Sequence, residues 1–152
     1  MSNESDPLLV THFTRYSMSR PHLPVDRNHS LSGRDTLDWF FANRRWIRLG
    51  QNSTIECAWA KRSLPEGESA TRFLLLAPKR SYKHAHDRNK IKRWLRAAIA
   101  EVPEFSSLET ELSLRSEQLL VMMRVSKPIR EVKWAQILVE TGRMCDLLKK
   151  RV

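Results

Sequence analysis

The sequence lacks the short motifs that mark a self-contained catalytic or metal centre. It holds two cysteines, Cys57 and Cys145, which stand far apart and outside any CxxC pair, so neither a disulfide framework nor a cysteine zinc site is indicated. The glycine-rich phosphate loop, the HExxH zinc motif and the GxSxG nucleophile turn are absent as well. We therefore expect no catalytic side chain and no metal ligand in the protein itself.

Long apolar runs are also missing. Nowhere do about 18 uncharged apolar residues follow one another, the length that a membrane-spanning helix needs. Residues 1–13 show no basic stretch followed by an apolar core, as a signal peptide would. These absences predict a soluble, cytoplasmic protein that has no membrane partner and keeps both cysteines as reduced thiols.

Acidic residues are in the minority. The 152 residues include 27 Lys and Arg against 17 Asp and Glu, a formal net charge of +10. Such a balance makes a polyanion the natural partner. Because DNA, RNA and an anionic membrane surface would all satisfy the net charge, the distribution of the charge has to discriminate among them.

The length and the hydrophobic content fit one modest core. Residues 1–30 contain three prolines among polar residues and show no sustained periodicity, so we predict a flexible N-terminal extension there and a single domain over residues 31–152. Within this domain the patterns predict a helix from a capping Asp35 to about residue 45, strands at 53–63, 71–78 and 118–125, a helix at 87–102 capped by Asp87, an acidic connector at 103–117 and a long helix at 126–150. This order predicts an α+β fold, an α/β sandwich in which a small mixed sheet is packed by an N-terminal helix, a basic central helix and a long C-terminal helix.

The central helix combines two opposite faces. Its apolar residues recur at helical spacing on one side, where they predict a face that packs on the core: Ile91, Leu95, Ala98, Ile99 and Val102. The other side carries Asn89, Lys90, Lys92, Arg93 and Arg96. Residues 78–96 hold eight Lys or Arg and a single Asp, whereas the residues that follow carry glutamates.

A run of Lys and Arg is usually only a solvated helix face, since both residues form helices well. A solvated face normally mixes charges of both signs, however, and this one does not. Like charges held together repel one another, a cost that a polyanion would relieve. The segregation therefore favours nucleic-acid binding, in which asparagine and guanidinium groups add directed hydrogen bonds.

The stretch RNKIKRWLRAA, residues 88–98, resembles the signature of the protein subunit of bacterial ribonuclease P, which usually begins Arg-Asn-Arg and continues with Ile-Lys-Arg and a later Arg. The segment LSGRDTLDWFF is similar to the first helix of that family, TRFLLLAPKRS to its strand ending in paired basic residues, and EQLLVMMRVSKP to its strand ending in an Arg before the last helix. The resemblance covers roughly residues 31–150. Four features depart from the family pattern: Lys90 replaces the second Arg, Leu37 the first cleft aromatic and Pro78 a Ser, and the loop before the signature lacks the glycine that is common there.

The resemblance implies a small protein partner of a catalytic RNA, in a holoenzyme that removes the 5′ leader from precursor tRNA. The RNA performs the hydrolysis with bound Mg²⁺, so the protein is expected to belong to an endoribonuclease without supplying its chemistry. By position in the family, the residues expected to bind RNA are Lys79, Arg80, Arg88, Asn89, Lys90, Lys92, Arg93 and Arg96. The candidates for a cleft that holds the leader are Leu37, Phe41 and Trp59, for each of which core packing is the alternative.

Two other functions compete with this one. A stand-alone RNA-binding or ribosome-associated protein could use the same basic helix, although it would not need an aromatic first helix. A protein nuclease would need a carboxylate or histidine site. His84 and His86 lie two residues apart in a basic loop without a nearby Cys or carboxylate pair, so they do not make one.

Overall fold

The computed structural model describes residues 25–152, which form one four-stranded sheet with helices on both of its faces. The strands are β1 (Arg45–Ile47), β2 (Ile55–Ser63), β3 (Thr71–Leu76) and β4 (Glu117–Val125). The α-helices are α1 (Arg34–Asn43), α2 (Ala85–Glu101), α3 (Glu104–Leu114) and α4 (Trp134–Arg151), and two 3-10 turns lie at Arg27–His29 and Ile129–Glu131. The predicted α+β class is confirmed.

The sheet is mixed, and its order is β1-β2-β4-β3. Strand β2 is antiparallel to both of its neighbours, with Trp59 opposite Arg45 on one side and Val121 on the other. Strand β3 runs parallel to β4, so the chain must cross over between them, and it does so through α2 and α3. Because of this order, β1 and β3 lie at opposite edges of the sheet.

The larger core lies on the face that α2, α3 and α4 cover. Successive side chains of a strand point to opposite faces, and every second residue of β2, β3 and β4 faces these helices. The apolar stripe predicted for α2 is buried here in full: Ile91, Leu95, Ala98, Ile99 and Val102. Since a fully buried Leu or Ile stabilises a fold by about 1.5–3 kcal/mol, this stripe fixes the rotation of α2 about its axis.

A smaller core lies on the other face, which α1 covers. Phe40 of α1 is fully buried in a cluster with two alanines of β2 and with Leu120 and Met122 of β4. The alanines, Ala58 and Ala60, leave room for the Phe40 ring to approach the sheet. Phe41, the next residue of α1, points away from this cluster and makes an edge-on contact with Phe40.

Both predicted helix caps are wrong. The N-cap of α1 is Gly33, whose positive φ of 93° suits glycine, and the N-cap of α2 is His84. Asp35 and Asp87 lie instead in the first turns of these helices. There the carboxylates face the positive end of the helix dipole, which still favours them electrostatically.

Helix α3 and strand β1 were not predicted from the sequence. The segment predicted to be an acidic connector forms the three-turn helix α3, which buries Phe105, Leu108 and Leu112. Strand β1 has only three residues and follows α1 after a single residue. The helix predicted to reach about residue 45 therefore ends at Asn43.

The first described residues belong to the fold. Ser30 forms a parallel bridge with Phe73, alongside the outer edge of β3. His29 is buried, and its two ring nitrogens lie 3.1 Å from carboxylate oxygens of Asp26 and Glu109. The hydrogen bond to His29 is the main cause that holds the pKa of Asp26 below its usual range. Structure thus begins before residue 31, which is the predicted start of the domain. Residues 1–24 of the predicted extension lie outside the described residues.

Candidate nucleic-acid interface

The cationic face of α2, defined as Asn89, Lys90, Lys92, Arg93 and Arg96, lies opposite the buried stripe. Asn89, Arg93 and Arg96 are exposed, and Lys90 and Lys92 are half-buried. Within residues 25–152, no carboxylate lies within ion-pair distance of any of these cations. The positive charge of this face is therefore not neutralised by the part of the protein that the structure describes.

The loop that leads into α2 continues this positive surface. Lys79 and Arg80 are exposed in a turn where the N–H groups of Ser81 and Tyr82 both donate to the carbonyl oxygen of Pro78, at 3.0 Å each. The buried Tyr82 side chain donates to the carbonyl oxygen of Lys127, and burial raises the pKa of its hydroxyl to about 12. Pro78, a departure from the family pattern, is thus the acceptor that closes the turn.

Two of the predicted RNA-binding residues also hold the protein together. Arg88 donates from Nη1 to the carbonyl oxygens of Tyr82 and Lys83, at 2.8 and 3.2 Å, and so ties the loop to the first turn of α2. The Nζ of Lys90 lies 4.7 Å from the centroid of the Trp94 ring, a cation–π contact. Trp94 in turn packs edge-on against Trp134 of α4.

A groove continues from the cationic face to the edge of β3. It has a volume of about 490 Å³ and lies between α2, β3 and the N-terminal turn. Its lining includes Lys92 and Arg96 of α2, Leu74 of β3, and Asp26, Arg27 and His29 of the N-terminal segment. Arg27 was not among the predicted site residues, because it lies in the segment that was assigned to the extension.

A second surface, here called the aromatic surface, consists of Phe41, Arg44 and Trp46. Phe41 of α1 is 43% exposed and Trp46 of β1 is 50% exposed. The guanidinium carbon of Arg44 lies 4.9 Å from the centroid of each ring. The guanidinium carbon of Arg124 of β4 also lies 6.0 Å from the centroid of the Trp46 ring, and its Nε donates to Glu56 at 2.6 Å.

Sequence reasoning missed Arg44 and Trp46 as site residues. Trp46 pairs with Ala58 in the register of β1 and β2, and this pairing turns its ring to the same sheet face as α1. The signal was weak, since a three-residue strand directly after a helix has no periodicity to read.

The structure separates the three predicted cleft residues. Leu37 is half-buried and packs against the smaller core, as do Leu74 and Leu76 of β3, so it shares a sheet face with Phe41. Trp59 belongs to the larger core and is only 6% exposed. The alternation of side chains along β2 turns Trp59 to the opposite face, so it does not lie with Leu37 and Phe41.

The described residues give little support for a metal site, a histidine-based catalytic site or a membrane-spanning helix. Among residues 25–152 there is no cluster of three His, Cys, Asp or Glu side chains that could hold a metal ion. His84 and His86 are exposed, and the nearest carboxylate to the His86 ring is that of Asp87, with 3.9 Å between Nε2 and Oδ1. Over the same range, no helix combines the length and the apolar character needed to cross a membrane.

Comparison with known proteins identifies the family to which this chain belongs. A search of curated proteins returned no match. The model of the family described as Ribonuclease P matches residues 26–149, which is most of the chain and includes the cationic face, the groove and the aromatic surface. The resemblance of the basic helix is thereby confirmed, and the chain belongs to the Ribonuclease P family.

Proposed function

We propose that this protein is the protein component of ribonuclease P, and that it assists the endonucleolytic 5′ maturation of tRNA by binding the catalytic RNA and the 5′ leader of precursor tRNA. The observation that carries the proposal is the separation of charge on α2. A stripe that is wholly buried lies opposite a face whose cations have no carboxylate partner among the described residues.

The cationic face supplies contacts to the RNA backbone. Arg93 and Arg96 present planar guanidinium groups, which bind phosphate oxygens in pairs, and Asn89 can both donate and accept a hydrogen bond. Lys79 and Arg80 extend this surface to the N-terminal end of α2, where the helix dipole also favours a phosphate. Binding the RNA would relieve the repulsion among these cations.

The aromatic surface is suited to the single-stranded leader. Unpaired bases stack on aromatic rings and on guanidinium planes, and Phe41, Arg44 and Trp46 offer both. The half-buried leucines Leu74 and Leu76 supply an apolar floor between this surface and the groove at the edge of β3. A strand leaving the aromatic surface would thus reach Lys92 and Arg96 along that groove.

In this proposal the RNA partner carries out the hydrolysis. Mg²⁺ prefers carboxylate, phosphate and water oxygens, and the cationic face offers no carboxylate. Because the described residues do not fit a Mg²⁺ site, we assign the ions to the RNA partner and propose no step on a protein side chain.

The test is the rate of 5′ leader removal from precursor tRNA by the matching catalytic RNA at low Mg²⁺, with and without the protein. We expect a large stimulation, which the double variant Arg93→Ala, Arg96→Ala should lose. The matched control is Lys149→Ala, Lys150→Ala, which removes the same charge from exposed positions at the end of α4 and should keep the stimulation. RNA binding without stimulation would overturn the proposal in favour of a stand-alone RNA-binding or ribosome-associated protein.

A further inference from the structure

A cavity of about 310 Å³ lies at the β1 edge of the sheet, away from the edge that β3 forms. Strand β2 pairs with β1 only at residues 57–59, although it continues to Ser63. Helix α1 ends at Asn43 and β1 begins at Arg45, opposite Trp59, so the outer side of residues 60–63 has no neighbouring strand among the described residues. The cavity opens beside this free edge, and its side-chain lining comes from Trp39, Asn43, Arg45, Trp59, Lys61 and Arg151.

The lining is positively charged. Arg45, Lys61 and Arg151 contribute three cations, and no carboxylate lines the cavity. Lys61 has an ion pair with Glu117, with 3.5 Å between Nζ and Oε2. Both side chains of this pair are partly exposed to solvent, which weakens it, so Lys61 can turn to an anion in the cavity at modest cost.

Two indole rings line the cavity: Trp39 is half-buried and Trp59 is almost wholly buried. The guanidinium of Arg45 lies over Trp59, at 5.8 Å from the ring centroid, and that of Arg62 lies over Trp39, at 5.7 Å. The Trp59 indole N–H is buried and has no hydrogen-bond partner within residues 25–152. A buried donor without an acceptor costs free energy. An occupant of the cavity could accept a hydrogen bond from this N–H after a small shift of the ring, and this cost would then be removed.

We propose that this cavity binds one nucleotide of a single-stranded RNA. The phosphate would lie among Arg45, Lys61 and Arg151, and the base would stack against the half-buried Trp39 indole, a combination that neither an inorganic anion nor an acidic peptide can use in full. The site is separate from the two surfaces of the proposed function. Arg45 and Trp46 are neighbours on β1, but the alternation of the strand sends them to opposite faces.

The test is an NMR titration of the ¹⁵N-labelled full chain with a short uridine oligoribonucleotide. The indole N–H signals of Trp39 and Trp59 report the cavity, and that of Trp46 reports the aromatic surface independently. We expect the Trp39 and Trp59 signals to shift and saturate, and the variant Lys61→Gln, Arg151→Gln to weaken this transition by about tenfold or more, since two charge-assisted contacts are lost. The control variant Arg130→Gln, Lys133→Gln removes the same charge from exposed positions just before α4 and should leave it unchanged.

Three results would overturn the site. The Trp46 signal could shift while those of Trp39 and Trp59 stay fixed, the shifts could survive in Lys61→Gln, Arg151→Gln, or an oligoglutamate peptide of equal charge could produce them equally well. The titration contains neither catalytic RNA nor precursor tRNA. It can therefore succeed even if the protein does not stimulate leader removal, and it can fail while that stimulation is intact.

Discussion

The carboxylate of Glu140 accepts a hydrogen bond from the backbone N–H of Ile55, at 2.8 Å, across 85 residues of sequence. It also accepts from the N–H of Thr54 at 2.9 Å and from Nε2 of Gln136 at 2.6 Å. Glu140 is 1% exposed. Helix α4 thus supplies the acceptor for the N–H of Ile55, the first residue of β2, and for that of Thr54 just before it, two groups that would otherwise be buried without a partner.

Replacing this acceptor should destabilise the fold. We expect Glu140→Ala to lower the free energy of unfolding by about 3 kcal/mol, because two buried N–H donors lose their partner. The control Gln136→Ala removes only the third hydrogen bond at an exposed position and should cost about 1 kcal/mol or less. Urea unfolding of both variants measures the difference, and equal small losses would contradict the role of Glu140.

The two cysteines should be unreactive in the folded protein. Burial raises the pKa of Cys57 and that of Cys145 to about 12, and the thiolate is the reactive form. At about pH 8 we expect a thiol reagent to label neither cysteine in the native protein, and to label both in concentrated guanidinium chloride. Rapid labelling of either thiol in the native protein would show that the larger core opens readily.

The parts of the fold that the sequence predicts are those with a clear period. The stripe of α2, from Ile91 to Val102, repeats at helical spacing and is wholly buried, and β2 and β4 form near their predicted bounds. The parts that it did not predict depend on tertiary contacts. Helix α3 was hidden by its glutamates, although Phe105, Leu108 and Leu112 carry the helical spacing, and β1 exists only because β2 offers it an edge.

The candidate site likewise has a part that the sequence predicts and a part that depends on tertiary contacts. The cationic face follows from the stripe, because residues opposite a buried face must point to solvent. The aromatic surface does not follow, since the stacking of Arg44 between Phe41 and Trp46 joins a helix to a strand that the pattern does not reveal. Trp59 could not be assigned to a face without the register of the sheet.

Acid should weaken the network around Glu68. Its carboxylate accepts from Gln118 Nε2 at 2.9 Å and from Arg72 Nη1 at 3.0 Å, and these contacts, with that from Gln118 the largest, hold its pKa below the usual 4.5. A lowered folded pKa means that Glu68 stabilises the fold above about pH 4.5 and loses this contribution as the pH falls through the folded value.

We therefore expect Glu68→Gln to be less stable than the wild type at neutral pH, by about 1 kcal/mol for such a partly exposed network. The difference should shrink as the pH falls below about 4.5. Urea unfolding at a series of pH values tests this expectation, with Glu66→Gln, an exposed position in the same loop, as the control. A difference that stays constant with pH would show that the charge of Glu68 is not involved.

Salt should distinguish backbone contacts from a loss of fold. Each phosphate that a protein neutralises adds to the decrease of log affinity with log salt concentration. In Arg93→Ala, Arg96→Ala we expect the slope for binding the catalytic RNA to fall in magnitude by about two, with an unchanged circular dichroism spectrum. An unchanged slope with weaker binding would mean that the two arginines act on protein structure instead of on phosphates.

The aromatic surface should discriminate precursor tRNA from mature tRNA, which has no leader. Stacking on an aromatic ring contributes about 1–3 kcal/mol per base, so Phe41→Ala should weaken binding of precursor tRNA by the holoenzyme about tenfold or more, and binding of mature tRNA little. Leu114→Ala is the matched control, because Leu114 is exposed and apolar but lies on α3, outside the proposed interface. Affinities of both tRNAs for both holoenzymes measure the effect. If Phe41→Ala weakened the two tRNAs equally, Phe41 would support the fold of α1 instead of contacting the leader.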